Sequence, residues 1–365
     1  MKMTKKSAVL ASVLATTIAG LSPAVAQAAP ANGVVVGPGS PMRMPIEGEK
    51  VVEGRHVGAA MCSLGVPGTI IDQNGNKQRV ILTAGHCLVP PSVDEEVKLT
   101  GKWYIPTREG DVLLGEKVVA TDVLAQAEAM DVEGVRALLE NLFNTPDYGV
   151  IEVHPDVVTT GRSESVSEFG RVKGEPVQIV GIQDNRTLAP FEVSGDNFGQ
   201  PICSDGSRSG RSCGFQLFRV RHGVWALMPI DNGDSGGNVY NPQTREAIGV
   251  NSMGIGPLTR AQPIDVALEE TYGIPDGQVN ERFQVETNTQ AHTPTRTIQE
   301  DSRFSAEQKR KEAQNEMGST LGDLIPGLDL PSPQLPIPSP KLPIPSADLL
   351  PGVNDVMAQA GLPTL

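Results

Sequence analysis

The chain has 365 residues, 43 of them acidic and 30 basic, for a formal net charge of -13. A surface of that sign repels phosphate backbones and anionic lipid, so neither nucleic acid nor an acidic membrane face is an expected partner. Solubility is the plain consequence of the charge.

The first 29 residues read as a secretory signal peptide: lysines at 2, 5 and 6, an apolar stretch from Ala8 to about Leu21, then Ala24, Ala26 and Ala28. No later stretch approaches the roughly 20 apolar residues of a membrane span. The expected protein is secreted and extracellular. Residues 30–50 are rich in Gly and Pro without periodicity and read as a propeptide or linker. From 51 to about 277, short apolar runs such as RVILTAG, DYGVIEV, FQLFRV and REAIGV alternate with clusters of Gly, Asn, Asp and Ser. Many short strands joined by tight turns give that pattern, so the fold class is all-β.

Two helical patterns interrupt it. In MDVEGVRALLENLF, Val132, Val135, Leu138, Leu139 and Leu142 share a face, an insertion over about 123–143. In PIDVALEETYGI, Ile264, Ala267, Leu268 and Tyr272 do the same, Gly273 is a stop signal, and this helix is expected to close the domain. Residues 278–365 turn polar, then proline-rich, with LPIPS at Leu335 and Leu342. That composition predicts a disordered extension ending in a polyproline II spacer, long enough for cell-envelope contact. The charged SRFSAEQKRKEAQNEM within it reads as a marginal helix.

In an oxidising exterior the four cysteines can pair in three ways, and sequence alone does not choose. Their positions favour Cys62 with Cys87, flanking a histidine, and Cys203 with Cys213, closing a short loop. Zinc is the competing reading, but no CxxC or HxxxH spacing supports it, and neither metal nor cofactor is expected.

The chemistry concentrates in two motifs. VILTAGHCLVP places His86 at the end of an apolar run, and MPIDNGDSGGNVY places Ser235 among glycines. A serine hydroxyl attacks a carbonyl only with a base in hydrogen-bond reach and donors for the oxyanion that forms. Glycines let the chain turn tightly, expose the hydroxyl and aim the N–H groups of Gly233 and Ser235 at one point, the expected oxyanion hole. GDSGG also matches the G-x-S-x-G elbow of α/β-hydrolases, but those place acid and histidine after the serine, where only His292 in a polar stretch stands. Histidine-first order favours the other arrangement.

TAGHC, then DYGVIEV, then GDSGG resemble the histidine, aspartate and serine segments of the chymotrypsin-like serine proteases. CSLG from Cys62, CSDGSRSGRSCG from Cys203, REAIGVNSMG and PIDVALEETYGI resemble the streptogrisin and α-lytic protease branch. The resemblance covers about Val51 to Ile274. It implies two six-stranded antiparallel β-barrels with a C-terminal helix, His86 as general base, Asp147 as its orienting acid and Ser235 as nucleophile. Asp94, Asp111, Asp122 and Asp131 are rival acids, but only Asp147 leads directly into an alternating segment. The resemblance further implies a buried, ion-paired Asp234 holding the oxyanion turn, and an edge at Ser252, Met253 and Gly254 that pairs with an extended peptide. VVEG after Lys50 faintly resembles a processed N-terminus, so cleavage is expected there. Met253 has an alternative role as core filler.

The chain departs from the pattern in lacking a third disulfide beside the nucleophile. Pro229 stands where specificity for arginine or lysine needs an acid, which leans the expectation toward small or medium apolar residues at the cleaved position. The expected function is a secreted serine endopeptidase acting on protein or peptide. A protease-fold binding or adhesion module, or a serine esterase using the same site, are the alternatives. His56, His154, His222 and His292 read as isolated surface histidines.

Overall fold

A computed structural model of the chain describes residues 33–72, 74–89, 99–121, 145–165, 167 and 174–324, with side chains to 315. The signal segment, the insertion at 123–143 and the proline-rich end lie outside the described residues, as do Asp94, Asp122 and Asp131.

Twelve strands carry the architecture. The first six are β1 (Pro41–Pro45), β2 (Ala59–Ser63 continuing as Pro67–Ile71), β3 (Lys77–Thr83), β4 (Lys102–Pro106), β5 (Asp111–Ala120) and β6 (Gly149–Val153). They pair in the order β1-β2-β3-β6-β5-β4, and β4 returns to β1 through Arg43 opposite Tyr104. β2 bends at Leu64–Val66, where Leu64 N–H donates to Ser40 O and Gly65 N–H to Leu82 O, handing the strand from β1 to β3. The second six are β7 (Pro201–Gly206), β8 (Gly210–Val220), β9 (Gly223–Leu227), β10 (Asn238–Tyr240), β11 (Glu246–Ile255) and β12 (Leu258–Pro263). Their order, β7-β8-β9-β12-β11-β10 and back to β7, repeats that of the first set. Two closed six-stranded antiparallel barrels of one topology result, as expected.

Side-chain alternation explains why the strand before His86 reads as an unbroken apolar run. In β3, Ile81 points into the first barrel with Met42, Trp103, Ile105 and Leu114. Val80 and Leu82 point the other way, into a cluster with Tyr148, Val150, Val250, Ile264 and Leu268 that joins the barrels. A strand buried on both faces loses the polar half of its alternation. Helix α1 (Ile264–Tyr272) follows β12 directly and ends on Gly273, whose φ of 64° is the left-handed conformation that favours glycine.

Two boundaries differ from expectation. Residues 34–45, read as propeptide or linker, supply β1 and a parallel pairing of Val34–Val36 with Val157–Thr159. Met42 is fully buried and Met44 nearly so. Nor does α1 close the domain. The chain continues through α2 (Val279–Arg282) and β13 (Phe283–Val285), which adds to the β2 edge, into α3 (Ile298–Leu324). The marginal charged segment is helical because its start is well capped: Thr297 Oγ1 accepts Glu300 N–H at 3.1 Å, and Glu300 Oε2 accepts Thr297 N–H at 2.7 Å. Lys309 pairs with Glu49, Lys50 with Glu312, and the Arg55 guanidinium lies 5.3 Å from the Phe304 ring centroid. The extension up to α3 is thus part of the folded body.

Candidate active site

Strand pairing brings together residues far apart in sequence. β3 and β6 are antiparallel neighbours with Thr83 opposite Gly149, so the turn after β3 meets the segment before β6. The first holds His86, in a 3-10 turn at Gly85–Cys87, and the second holds Asp147. Asp147 Oδ2 lies 2.9 Å from His86 Nδ1, and Oδ1 accepts the His86 backbone N–H at 2.9 Å. The imidazole keeps about a quarter of its surface exposed while the carboxylate has none. The disulfide Cys62–Cys87 ties the histidine turn to β2, and Cys203–Cys213 crosses the β7–β8 hairpin.

A buried charge must be satisfied from several sides. Asp147 N–H donates to Gln262 Oε1 at 2.9 Å, and the Ser252 hydroxyl donates to Asp147 Oδ2 at 2.5 Å. Behind Ser252 lies Arg260, fully buried, donating to Ser252 Oγ at 2.6 Å, Thr145 O at 2.5 Å and His222 O at 2.7 Å. Burial alone raises the Asp147 carboxyl, but His86, Arg260 and Ser252 outweigh it and hold it at about 2. Burial lowers the Arg260 guanidinium to about 10 against the opposing pull of Asp147. The group His86–Asp147–Ser252–Arg260 is therefore a charged chain running from the surface into the second barrel.

Ser235 is half-buried in the turn before β10. Its carbonyl accepts Ser63 N–H at 2.8 Å, and Gly236 N–H donates to Asn251 O at 2.7 Å. Gly236 has φ 78°, and a Cβ there would sit 2.0 Å from Thr83 Oγ1 and 3.1 Å from Ala84 N. The serine turn thus presses on the end of β3 that leads into His86, an approach no larger residue permits. Gly233, at φ 104°, has its carbonyl fixed by the Ser63 hydroxyl at 2.8 Å, with Ser207 Oγ 3.2 Å away. Asp234 is buried, and its carboxylate accepts the N–H groups of Arg208, Ser209 and Asp231, each at 2.9 Å. Backbone amides, two from the β7–β8 hairpin and one from Asp231 in the turn itself, hold it where an ion pair was expected.

Of the expected substrate-edge residues, Ser252 is committed to Asp147, Met253 is half-buried and Gly254 exposed. The pairing of β10 with β11 stops at Val250, two residues before Ser252. Ile230 lies against Gly254, within 2.7 Å of where a Cβ would stand. The rival acid Asp111 is engaged elsewhere, with His56 Nδ1 at 2.8 Å and with Arg296. His56 is thus paired, His222 is buried, and His292 is held by Ser40 Oγ and Arg162 O, so these three are not isolated surface residues. Sequence reasoning missed Ser63, Ser207, Arg260 and Gln262. The one signal available was an arginine and a glutamine inside the otherwise apolar-flanked β12.

Two clusters hold three metal-ligating side chains among the described residues. Cys62, His86 and Cys87 offer no thiolate because the cysteines are joined, and Asp184, Glu269 and Asp276 lie against α1, apart from this site. Two six-stranded barrels of equal topology meet at a His–Asp pair contributed by the first and a serine turn contributed by the second. The fold is the chymotrypsin-like double barrel. Solved structures similar to the chain include Thermobifida fusca protease A (18% identity, TM-score 0.37, 70% of this chain and 100% of that one). Others are Cellulomonas bogoriensis chymotrypsin (20%, 0.36, 70% and 100%) and Nocardiopsis protease (18%, 0.36, 69% and 100%). No protein-family model and no curated protein matches the chain.

Proposed function

We propose that the chain is a secreted serine endopeptidase. Ser235 Oγ attacks the scissile carbonyl while His86 Nε2 takes its proton, and the N–H groups of Gly233 and Ser235 receive the oxyanion. His86 then gives the proton to the leaving amine, and water releases the acyl group by the same steps in reverse. Asp147 holds the tautomer with the proton on Nδ1 and stabilises the imidazolium. The observation that carries this reading is the wholly buried Asp147 carboxylate receiving both the ring and the backbone N–H of a histidine that keeps about a quarter of its side chain exposed. A purely structural histidine gains nothing from that exposure.

Met253 and Gly254 offer a backbone edge to an extended peptide, the strand-addition mode of recognition. Ile230 beside Gly254 supports an apolar, shallow pocket for the residue before the cleaved bond. The signal segment and the paired cysteines support export to an oxidising exterior, and no helix among the described residues is long and apolar enough to cross a membrane.

Digestion of a peptide library by purified chain, with Ser235→Ala beside it, tests the proposal. Cleavage after small or medium apolar residues, abolished in the variant, is expected. Turnover of esters without peptides leaves a serine esterase, and no turnover of either leaves a binding module.

A further inference from the structure

The oxyanion turn has a neighbour that the proposed chemistry does not use. Ile298, the first residue of α3, is 5% exposed, and its Cδ1 lies 2.4 Å from where a Cβ on Gly233 would stand. It fills the space that a side chain at Gly233 would take. The segment carrying it is fastened on both sides. Upstream, Arg296 N–H donates to Pro106 O at 2.8 Å, and its guanidinium reaches Thr107 O and Asp111. Downstream, Asp301 binds Arg296 Nε at 2.6 Å and Arg43 Nε at 2.7 Å. Arg43 is in β1, Pro106 in β4 and Asp111 in β5, so the first barrel anchors the arm while the Ile298 side chain reaches the catalytic turn of the second.

We propose that Ile298 is a positioning residue for the oxyanion hole, and that the C-terminal arm from Thr293 to Asp301 is an in-cis part of the catalytic machinery. The inference rests on the hydrolase reading. Gly233 has no side chain to restrain its peptide, and at φ 104° the Asn232–Gly233 plane can rotate and carry the donor out of the hole. Ser63 and Ser207 hold the carbonyl of Gly233; Ile298 presses most closely on the side where a side chain would stand, with the Arg208 stem more than 1 Å farther off. A preorganised donor contributes to the transition state only while its direction is fixed.

The test is the rate of covalent modification of full-length secreted chain by a fluorophosphonate, whose adduct places an oxygen in the same hole. The maximal rate reports the hole and the half-saturating concentration reports binding. Ile298→Ala is expected to slow the maximal rate by about tenfold or more, with half-saturation within about twofold. The volume-conserving Ile298→Leu is expected to keep most of the rate, and Lys311→Ala, an exposed residue paired with Glu307 along the same helix, all of it. Should Ile298→Ala not fold, Ile298→Val carries the test, with a fall of about two- to threefold at unchanged half-saturation. An unchanged rate in the folded Ala or Val variant overturns the inference, and so does a faster one, which would make the arm a cover. Wild-type chain that is folded but takes no label sinks the hydrolase reading itself. Labelled wild type with an indifferent position 298 sinks only this one.

Discussion

His86 Nδ1 stands 2.9 Å from Asp147 Oδ2, and the backbone N–H of the same histidine reaches Asp147 Oδ1 at the same distance. One carboxylate thereby sets both the ring's tautomer and the position of its chain. Asp147→Asn keeps the size but presents an N–H donor where an acceptor is needed. We expect hydrolysis to fall by roughly 10³–10⁴-fold on the triad precedent, with the fold intact by circular dichroism. Activity within tenfold of wild type would show that Asp147 does not orient a base.

Arg260 is fully buried and supports that carboxylate through Ser252. Arg260→Met leaves Thr145 O and His222 O without their donor and removes one of the groups that hold the Asp147 carboxylate ionised. Removing one partner of such a buried network costs about 3–5 kcal/mol, readable by urea unfolding. Asp147 must be ionised to act, so losing the guanidinium moves its carboxyl up from about 2. A carboxylate held less firmly orients His86 less well, so kcat is expected to fall in the folded variant. An unchanged kcat would separate Arg260 from the site.

The two motifs that carry the proposed chemistry were legible because each needs local geometry that few residues allow: glycines around Ser235, and an apolar strand ending at His86. The all-β body was legible from short runs and turn clusters, while its division into two six-stranded barrels came only with the resemblance. β1 was not, because PMRMP has prolines at both ends and an arginine at its centre, a strand pattern only in a barrel that buries Arg43 against Asp301. That pair is separated by 258 residues, and no local window holds both halves. The same holds for Ile298 on Gly233 and for Arg260 on Thr145 O, 115 residues away: long-range partners turn residues that read as polar or unremarkable into buried parts of the structure.

The position of β1 bears on maturation. Cleavage after Lys50, suggested by VVEG, separates Met42, Arg43 and Met44 from the first barrel. A chain begun at Val51 is expected to be insoluble or unfolded, whereas one begun at Gly33 folds. Terminal sequencing of the active secreted form checks this, and an active form starting at Val51 with no retained fragment contradicts it.

His222 gives the stability a pH signature. Burial, then Arg260 and Arg221, lower its imidazole to about 3. The folded form stays neutral while the unfolded chain takes a proton near pH 6.5. The contribution is thus present above that pH and is lost as pH falls toward 3. His222→Phe is expected to flatten this decline, by on the order of a few kcal/mol at pH 4 relative to pH 7, in thermal or urea unfolding. Parallel profiles for the two proteins contradict it.

The central claim is that Ser235 becomes a nucleophile because His86 takes its proton. Mass spectrometry of chain treated with a fluorophosphonate measures this directly. The account predicts one adduct, on the peptide containing Ser235, absent from Ser235→Ala and strongly slowed in His86→Ala. An adduct on another residue, or labelling of either variant at the wild-type rate, contradicts it.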